Sequence, residues 1–169
     1  MLITMSTTPG IYAEIPGGSD LIAWFGGEPR FHDAEIVGLN LRRRAESTLD
    51  VHFWTATGEV DEHGYFALGN HVMVTFAMEE IVDLELDGFN HQNAIYSLSL
   101  HHSPIDPDRA PYVVGDSPQD YEIAIEGAYG MEGRVRCQKI SIRLTPGKPA
   151  DSYPPIRREA VRDRGGTGA

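Results

Sequence analysis

Apolar and polar positions alternate with a period of two along most of the chain. Val37, Leu39 and Leu41 alternate with Gly38, Asn40 and Arg42, and Leu49, Val51 and Phe53 alternate with Asp50, His52 and Trp54. The same pattern runs through Val72, Val74, Phe76 and Met78, then Val82, Leu84 and Leu86, then Tyr96, Leu98 and Leu100, then Tyr121, Ile123 and Ile125. Successive strand residues point to opposite faces, so each run predicts a strand with one buried and one wet face, as antiparallel sheets favour. A seventh run, residues 134–145, changes phase. Val135 and Cys137 share one parity, while Ile140, Ile142 and Leu144 share the other. Either a one-residue bulge near Gln138 and Lys139 returns both sets to one face, or the strand is covered on both sides.

One short helix is predicted over residues 21–25, with Ser19 or Asp20 placed to cap it and Gly26 and Gly27 to stop it. The expected fold is therefore mainly β: an antiparallel β-sandwich or partly closed barrel of about seven strands with one short N-terminal helix. Residues 1–18, punctuated by Pro9, Gly10, Pro16, Gly17 and Gly18, read as a loose N-terminal segment. Residues 19–145 read as a single β-rich domain. Residues 146–169, rich in Pro, Gly and Arg, read as a disordered basic tail. Two connections are long: residues 58–69, acidic with Tyr65 and Phe66, and residues 102–119, stiffened by four prolines.

Composition narrows the function classes. The 169-residue chain carries a net charge of −11, and residues 1–145 alone hold nine bases against 22 acids. Such a body repels phosphate backbones and anionic membranes, so neither nucleic acid nor membrane is expected as a partner; a basic protein would be attracted to it. Acidity for solubility alone is the plainer reading of the same number. A single cysteine, Cys137, excludes an intrachain disulfide and a cysteine-based zinc site, and its strand position reads as a small buried residue. No secretory signal or membrane-length apolar run is visible, which predicts a soluble cytoplasmic protein. Phosphate-loop, nucleophile-elbow and dinucleotide motifs are missing from the sequence.

The densest cluster of chemistry-bearing residues is 24–35, with His32 beside Asp33 and a further carboxylate at Glu35. A metal-binding or hydrolytic site built on His32, Asp33 and Glu35 is one reading. In a strand, however, His32 and Asp33 would face opposite ways, and a His and an Asp bonding the backbone at a helix–strand corner is the better-supported role. His52 and His71 fall on the polar face of neighbouring strands and could meet across the ladder, where a site with Asp50 is one reading, but two solvated surface imidazoles are the favoured one. Residues 88–93 (Gly88, Phe89, Asn90, His91, Gln92, Asn93) suit a loop whose amides bond their own turn while Phe89 plugs the core edge. Trp54, Tyr65, Phe66 and Phe76 read mostly as core.

The order W-F-G-x-x-P-x-F-H-D-A-E over 24–35, an alternating strand, D-L-x-L-x-G-F-N-x-Q-N over 83–93, and a closing strand containing Cys137 resembles the immunity protein 50 family. The resemblance spans roughly residues 20–145. It implies a bacterial protein of a polymorphic toxin system that binds and neutralises a cognate toxin without catalysis and without a cofactor or metal. The family motif residues would be Trp24, Pro29, Phe31, His32, Asp33 and Glu35, then Gly88, Phe89, Asn90, Gln92 and Asn93. Charge alone adds that the toxin would be basic, such as a nuclease. Contact surfaces expected for it are Asp61, Glu62, Tyr65 and Phe66 in the acidic loop, the wet strand face of Asp83, Glu85 and Asp87, and the proline loop. A self-associating structural or regulatory β module is the remaining alternative.

Overall fold

A computed structural model describes residues 10–108, 110–112 and 119–150. The expected tail lies outside the described residues from position 151 on, as do most of the central residues of the proline loop. Two helices, α1 (Ile11–Glu14) and α2 (Gly18–Phe25), precede six strands: β1 (Glu35–Asn40), β2 (Ser47–Val60), β3 (Phe66–Asp87), β4 (Ala94–Pro104), β5 (Gln119–Tyr129) and β6 (Glu132–Pro146). A single turn of 3-10 helix, Ala110–Tyr112, precedes β5.

All strand pairs are antiparallel and form one sheet in the order β1-β2-β3-β6-β5-β4, which closes on itself where β4 meets β1. A single sheet closed into a ring, rather than two packed sheets, is thus the form the β-rich reading takes. The closing seam is short. Ala94 pairs with Glu35, and backbone bonds join Asp33 N to Ile95 O (3.0 Å), Ile95 N to Ala34 O (2.8 Å) and Ile36 N to Asn93 O (2.9 Å).

The alternation predicts the inner face over most of the sheet, with exceptions: Leu41, Leu84 and Tyr96 are exposed, and on β1 it is Ile36, not Val37, that is buried. Leu49, Val51, Val72, Val74, Phe76, Met78, Leu98, Leu100, Ile123, Ile125, Val135, Cys137, Ile140 and Ile142 are all buried. The phase change in β6 is real, since Val135 and Cys137 face inward together with Ile140 and Ile142. Its partner shifts phase at the same level: Met78 pairs with Ile140 and Ile81 with Cys137, and Glu80 between them has φ 56°. Because both strands take up the extra residue together, the 72–78 and 82–86 runs form one strand, β3, and the count is six rather than seven. A register shift follows on β3 between Ile81 and Asp83, not on β6 at Gln138 and Lys139.

The N-terminal segment differs from its reading. Residues 11–14 are helical, and Tyr12 and Ile15 are buried in the core with Leu21 of α2. The helices pack on β4 and β6. Helix α2 begins at Gly18, with Gly17 as its N-cap and no side-chain cap, so neither Ser19 nor Asp20 takes that role. Gly17 has φ 81°, and a Cβ there would stand 1.8 Å from the Ile142 carbonyl oxygen; only glycine fits. Gly26 ends the helix in the left-handed region, as expected. Trp24 packs edge-on against both Phe25 and Phe53, Phe25 lies tilted on Phe53, and Phe31 bridges Phe25 to Phe76. This aromatic column fastens the helices to the sheet.

Candidate functional site

Strands β2 and β3 outrun the rest of the sheet. β1 pairs with β2 only from Thr48 to His52, and β6 pairs with β3 only from Val72 onward. Beyond that level the two strands pair with each other alone, through Thr55–Gly69, Ala56–Leu68 and Val60–Phe66. The result is a projecting two-stranded ribbon. Its tip is a tight loop in which Asp61 Oδ1 accepts from the backbone N–H groups of His63 and Tyr65 (both 2.9 Å), with Gly64 at φ 83°.

The ribbon carries an unusual load. Val60, Tyr65, Phe66 and Leu68 are all exposed, Tyr65 at 68% and Phe66 at 69%. The expectation that these two aromatics belong to the core is therefore corrected: β6 and β1 end before reaching them, so no core exists at that level. Phe76 alone of that aromatic set is fully buried. Acidic Glu59, Asp61 and Glu62 surround the apolar tip.

At the ribbon's base lies a cleft of about 590 Å³. Its walls come from four places: Glu35, Ile36 and Val37 of β1, His52, Trp54, Leu68 and His71 of β2 and β3 where the ribbon leaves the sheet, Phe89, Asn90, His91 and Asn93 of the loop before β4, and Pro149 after β6. His52 and His71 do meet. His52 Nε2 lies 3.1 Å from His71 Nδ1, and the rings stack at 5.2 Å and 17°. His52 also packs on Trp54 at 4.9 Å and is only 8% exposed, so the pair is not two solvated imidazoles. Burial lowers the pKa of His52, and the charges of His71 and Lys148 lower it further. Burial and Lys148 also depress His71, with the Leu68 carbonyl opposing in part; His71 Nε2 is buried without a hydrogen bond of good geometry. Both rings are thereby held in the neutral form. Asp50 does not join them; its Oδ1 accepts from Thr75 Oγ1 at 2.6 Å.

The two motif blocks converge at this cleft, with different duties. Asn93 is 3% exposed. Its Oδ1 accepts from Asn90 N (2.9 Å) and Met131 N (3.2 Å), and its Nδ2 donates to Asn90 O (2.9 Å) and Ile36 O (3.4 Å). Asn90 folds the same loop, donating to Gly88 O and accepting from Gln92 N. Gly88, at φ 73°, lets that loop pass close to Gly130, where a Cβ would stand 2.6 Å from the Gly130 carbonyl oxygen. The amides thus support the loop, as read from the sequence. Phe89 does not plug the core edge: it is 57% exposed and forms a wall of the cleft, because Asn93 rather than Phe89 anchors the turn.

In the first block Trp24, Pro29 and Phe31 are packing residues, Pro29 and Phe31 being buried. His32 and Asp33 are exposed and bond each other, Nδ1 to Oδ2 at 3.0 Å, instead of facing opposite ways. Asp33 has φ 68°, so the strand starts only at Glu35 and strand parity does not apply to the pair. Of the trio His32, Asp33 and Glu35, only Glu35 lines the cleft. Among the described residues no group of three or more His, Cys, Asp or Glu is arranged to hold a metal. Burial, with Asp120 adding to it, pushes the Cys137 thiol up to about 12, which leaves it inert as a nucleophile.

Asp83, Glu85 and Asp87 are exposed on β3, yet β6 offsets two of them: Asp83 pairs in register with Arg136, and Glu85 binds Arg134 at 2.9 Å. Trp54 is the wall residue whose place the sequence reading missed. The signal was available, because Trp54 shares the polar parity of Asp50 and His52. A large aromatic on a wet face is a recognition feature more than a core one.

The sequence model of the immunity protein 50 family matches residues 17–146. No curated protein and no solved structure matches the chain.

Proposed function

Because this chain belongs to the immunity protein 50 family, we propose that it protects the bacterium that makes it by binding a cognate toxin of a polymorphic toxin system, in the cytoplasm and without catalysis. The observation that carries the reading is the projecting ribbon with Val60, Tyr65, Phe66 and Leu68 exposed inside an acidic collar. A monomer gains nothing by leaving four large apolar side chains in water, whereas an interface core wants aromatic anchors ringed by polar groups. The net charge of −11 favours a basic toxin, a nuclease being one such class, and speeds its capture. Neutralisation then follows from covering the toxin's working surface.

The test is isothermal titration of the purified chain with the toxin domain encoded in the adjoining reading frame. A dissociation constant of about nanomolar, weakening as salt is raised, is expected. Absence of any heat with that domain would refute the proposal.

A further inference from the structure

The chain leaves its last strand in the direction of the cleft. β6 runs antiparallel to β3, and its last ladder pair joins Pro146 to Val72. Gly147 N–H then donates to His71 O at 2.8 Å, so pairing continues one residue past β6 and heads along β3 toward Leu68 and the ribbon tip. Two residues on, Pro149 is itself a wall of the cleft. We propose that the cleft is the docking site of this chain's own segment Tyr153-Pro154-Pro155-Ile156, which sits there in the free protein and is displaced when the partner takes the ribbon. Only the displacement rests on the toxin-binding reading above.

Reach, shape and charge each favour this occupant. Tyr153 to Ile156 stand four to seven residues after Pro149, a reach of roughly 13–24 Å when fully extended. So short a tether gives an effective concentration on the order of millimolar, and a weak contact then suffices. Trp54 and Phe89 are aromatic walls, to which Leu68 and Ile36 add apolar surface. Aromatic-lined grooves are what proline-rich segments dock into, and two prolines restrict the segment before it binds. A volume of about 590 Å³ takes a short stretch of chain. The segment is uncharged, so Lys148, whose charge reaches His52 and His71, does not oppose it, and it needs no counter-ion from the walls. Arg157 and Arg158 follow Ile156 at once and complement the acidic collar of Glu59, Asp61 and Glu62. A second copy of the chain fits less well: through residue 150 each body carries ten bases against 22 acids, and two such bodies repel.

The full chain, with nitrogen-15 amides and carbon-13 isoleucine methyls, is followed by NMR. The Ile156 methyl, assigned from its loss in I156S, should show a nuclear Overhauser contact to the Trp54 indole. In Y153S/I156S the Trp54 indole signal should move, while the Trp24 indole, packed against Phe25 and Phe53, stays in place. F89A, at an exposed position, should weaken the contact. Absence of the contact, or an unmoved Trp54 signal in the double variant, would overturn the docking. A contact seen only between differently labelled chains in a mixed sample would overturn it too, by making the occupant a second copy. Adding the toxin domain should erase the contact, and Y153S/I156S should bind that domain about threefold more tightly than the parent, because no occupant has to leave. A contact that persists in the complex would refute the displacement. No heat with the toxin domain would refute the toxin reading and leave the docking intact, since the contact is read without toxin.

Discussion

Replacing Asn93 with alanine should destabilise the protein by about 3 kcal/mol, and the figure follows from where its four bonds go. The Met131 N–H that Asn93 Oδ1 accepts is buried, so its loss leaves a donor with no water to turn to. Such a stranded group costs roughly 1–3 kcal/mol. The bonds to Asn90 N and Asn90 O are only partly buried, and each contributes about 0.5–1 kcal/mol because water replaces the partner. The bond to Ile36 O, at 3.4 Å, adds little. Gly130, at φ 86° and with room for no Cβ beside Asn93 Oδ1, brings no side chain that could refill the space. For a chain of this length the expected fall in Tm is roughly 6–12 °C.

Urea unfolding at pH 7.5 measures it. The isosteric N93D variant sharpens the reasoning: it keeps an acceptor for Asn90 N and Met131 N but turns the amide donor into an oxygen facing the Asn90 and Ile36 carbonyls. It should therefore also lose stability, despite conserving shape. H32A is the contrast, because His32 is exposed, bonds exposed Asp33 and packs edge-on against the exposed ring of Tyr96; it should stay within about 0.5 kcal/mol of the parent. An N93A variant within about 0.5 kcal/mol of the parent, or an N93D variant matching it, would show that the second motif block does not hold the loop in the way described.

F66A should leave unfolding unchanged yet weaken the toxin complex at least about tenfold by titration calorimetry, since Phe66 makes no core contact but heads the exposed strip. Stability should fall as pH drops below the ordinary imidazole range, because His52 and His71 are depressed in the fold and the unfolded chain binds protons that the native one does not. The urea midpoint of H71N should therefore lose less between pH 7.5 and pH 5.5 than that of the parent. Burial alone would raise Glu122, but the bonds and charge of Arg136 and His101 outweigh it and hold its carboxyl low; E122Q leaves a partly buried guanidinium short of its partner and should cost about 2–3 kcal/mol in urea unfolding at neutral pH. G17A, with a Cβ 1.8 Å from the Ile142 carbonyl oxygen, should lose more than about 3 kcal/mol by the same assay.

Much of the fold was legible because period-two alternation is a direct record of which face meets the core. Val72 through Met78 and Tyr121 through Ile125 needed no further information. Alternation is blind to two things. It cannot separate a turn from a strand that changes phase while its partner does the same, so Glu79 and Glu80 read as a break where β3 runs on past Glu80 at φ 56°. It also cannot tell how far a strand's neighbours extend, which is what decides whether Tyr65 and Phe66 are core or surface. The short helix at Ile11–Glu14 escaped because four residues carry no periodicity, and its burial comes from tertiary packing of Tyr12. For the site, the strand pattern allowed His52 and His71 to meet, but it favoured two solvated imidazoles because period-two parity says nothing of the Trp54 ring that helps to bury His52. Phe89 was misplaced because an apolar residue in a polar loop looks like an anchor, while the anchor was the buried amide of Asn93.

The two motif blocks are best understood as a clamp for one loop and one ribbon, not as a reactive centre. Asn93, Asn90 and Gly88 spend their hydrogen-bonding and backbone freedom on the turn, and Phe31 and Trp24 spend theirs on the aromatic column. What these rigid parts leave over is a small set of side chains with no structural duty equal to their size: Phe89, Trp54, Leu68, Tyr65 and Phe66, running from the cleft to the ribbon tip. A surface of this kind binds by shape and burial, and a preorganised base lowers the ordering cost of each contact. Loosening the base should therefore weaken toxin binding even when every contact residue is intact. N93D tests this at a temperature where it is still folded: a complex weakened through faster dissociation, with the association rate little changed, is the expected outcome. Unchanged dissociation would mean that the 88–93 loop takes no part in the interface and that the ribbon tip binds alone.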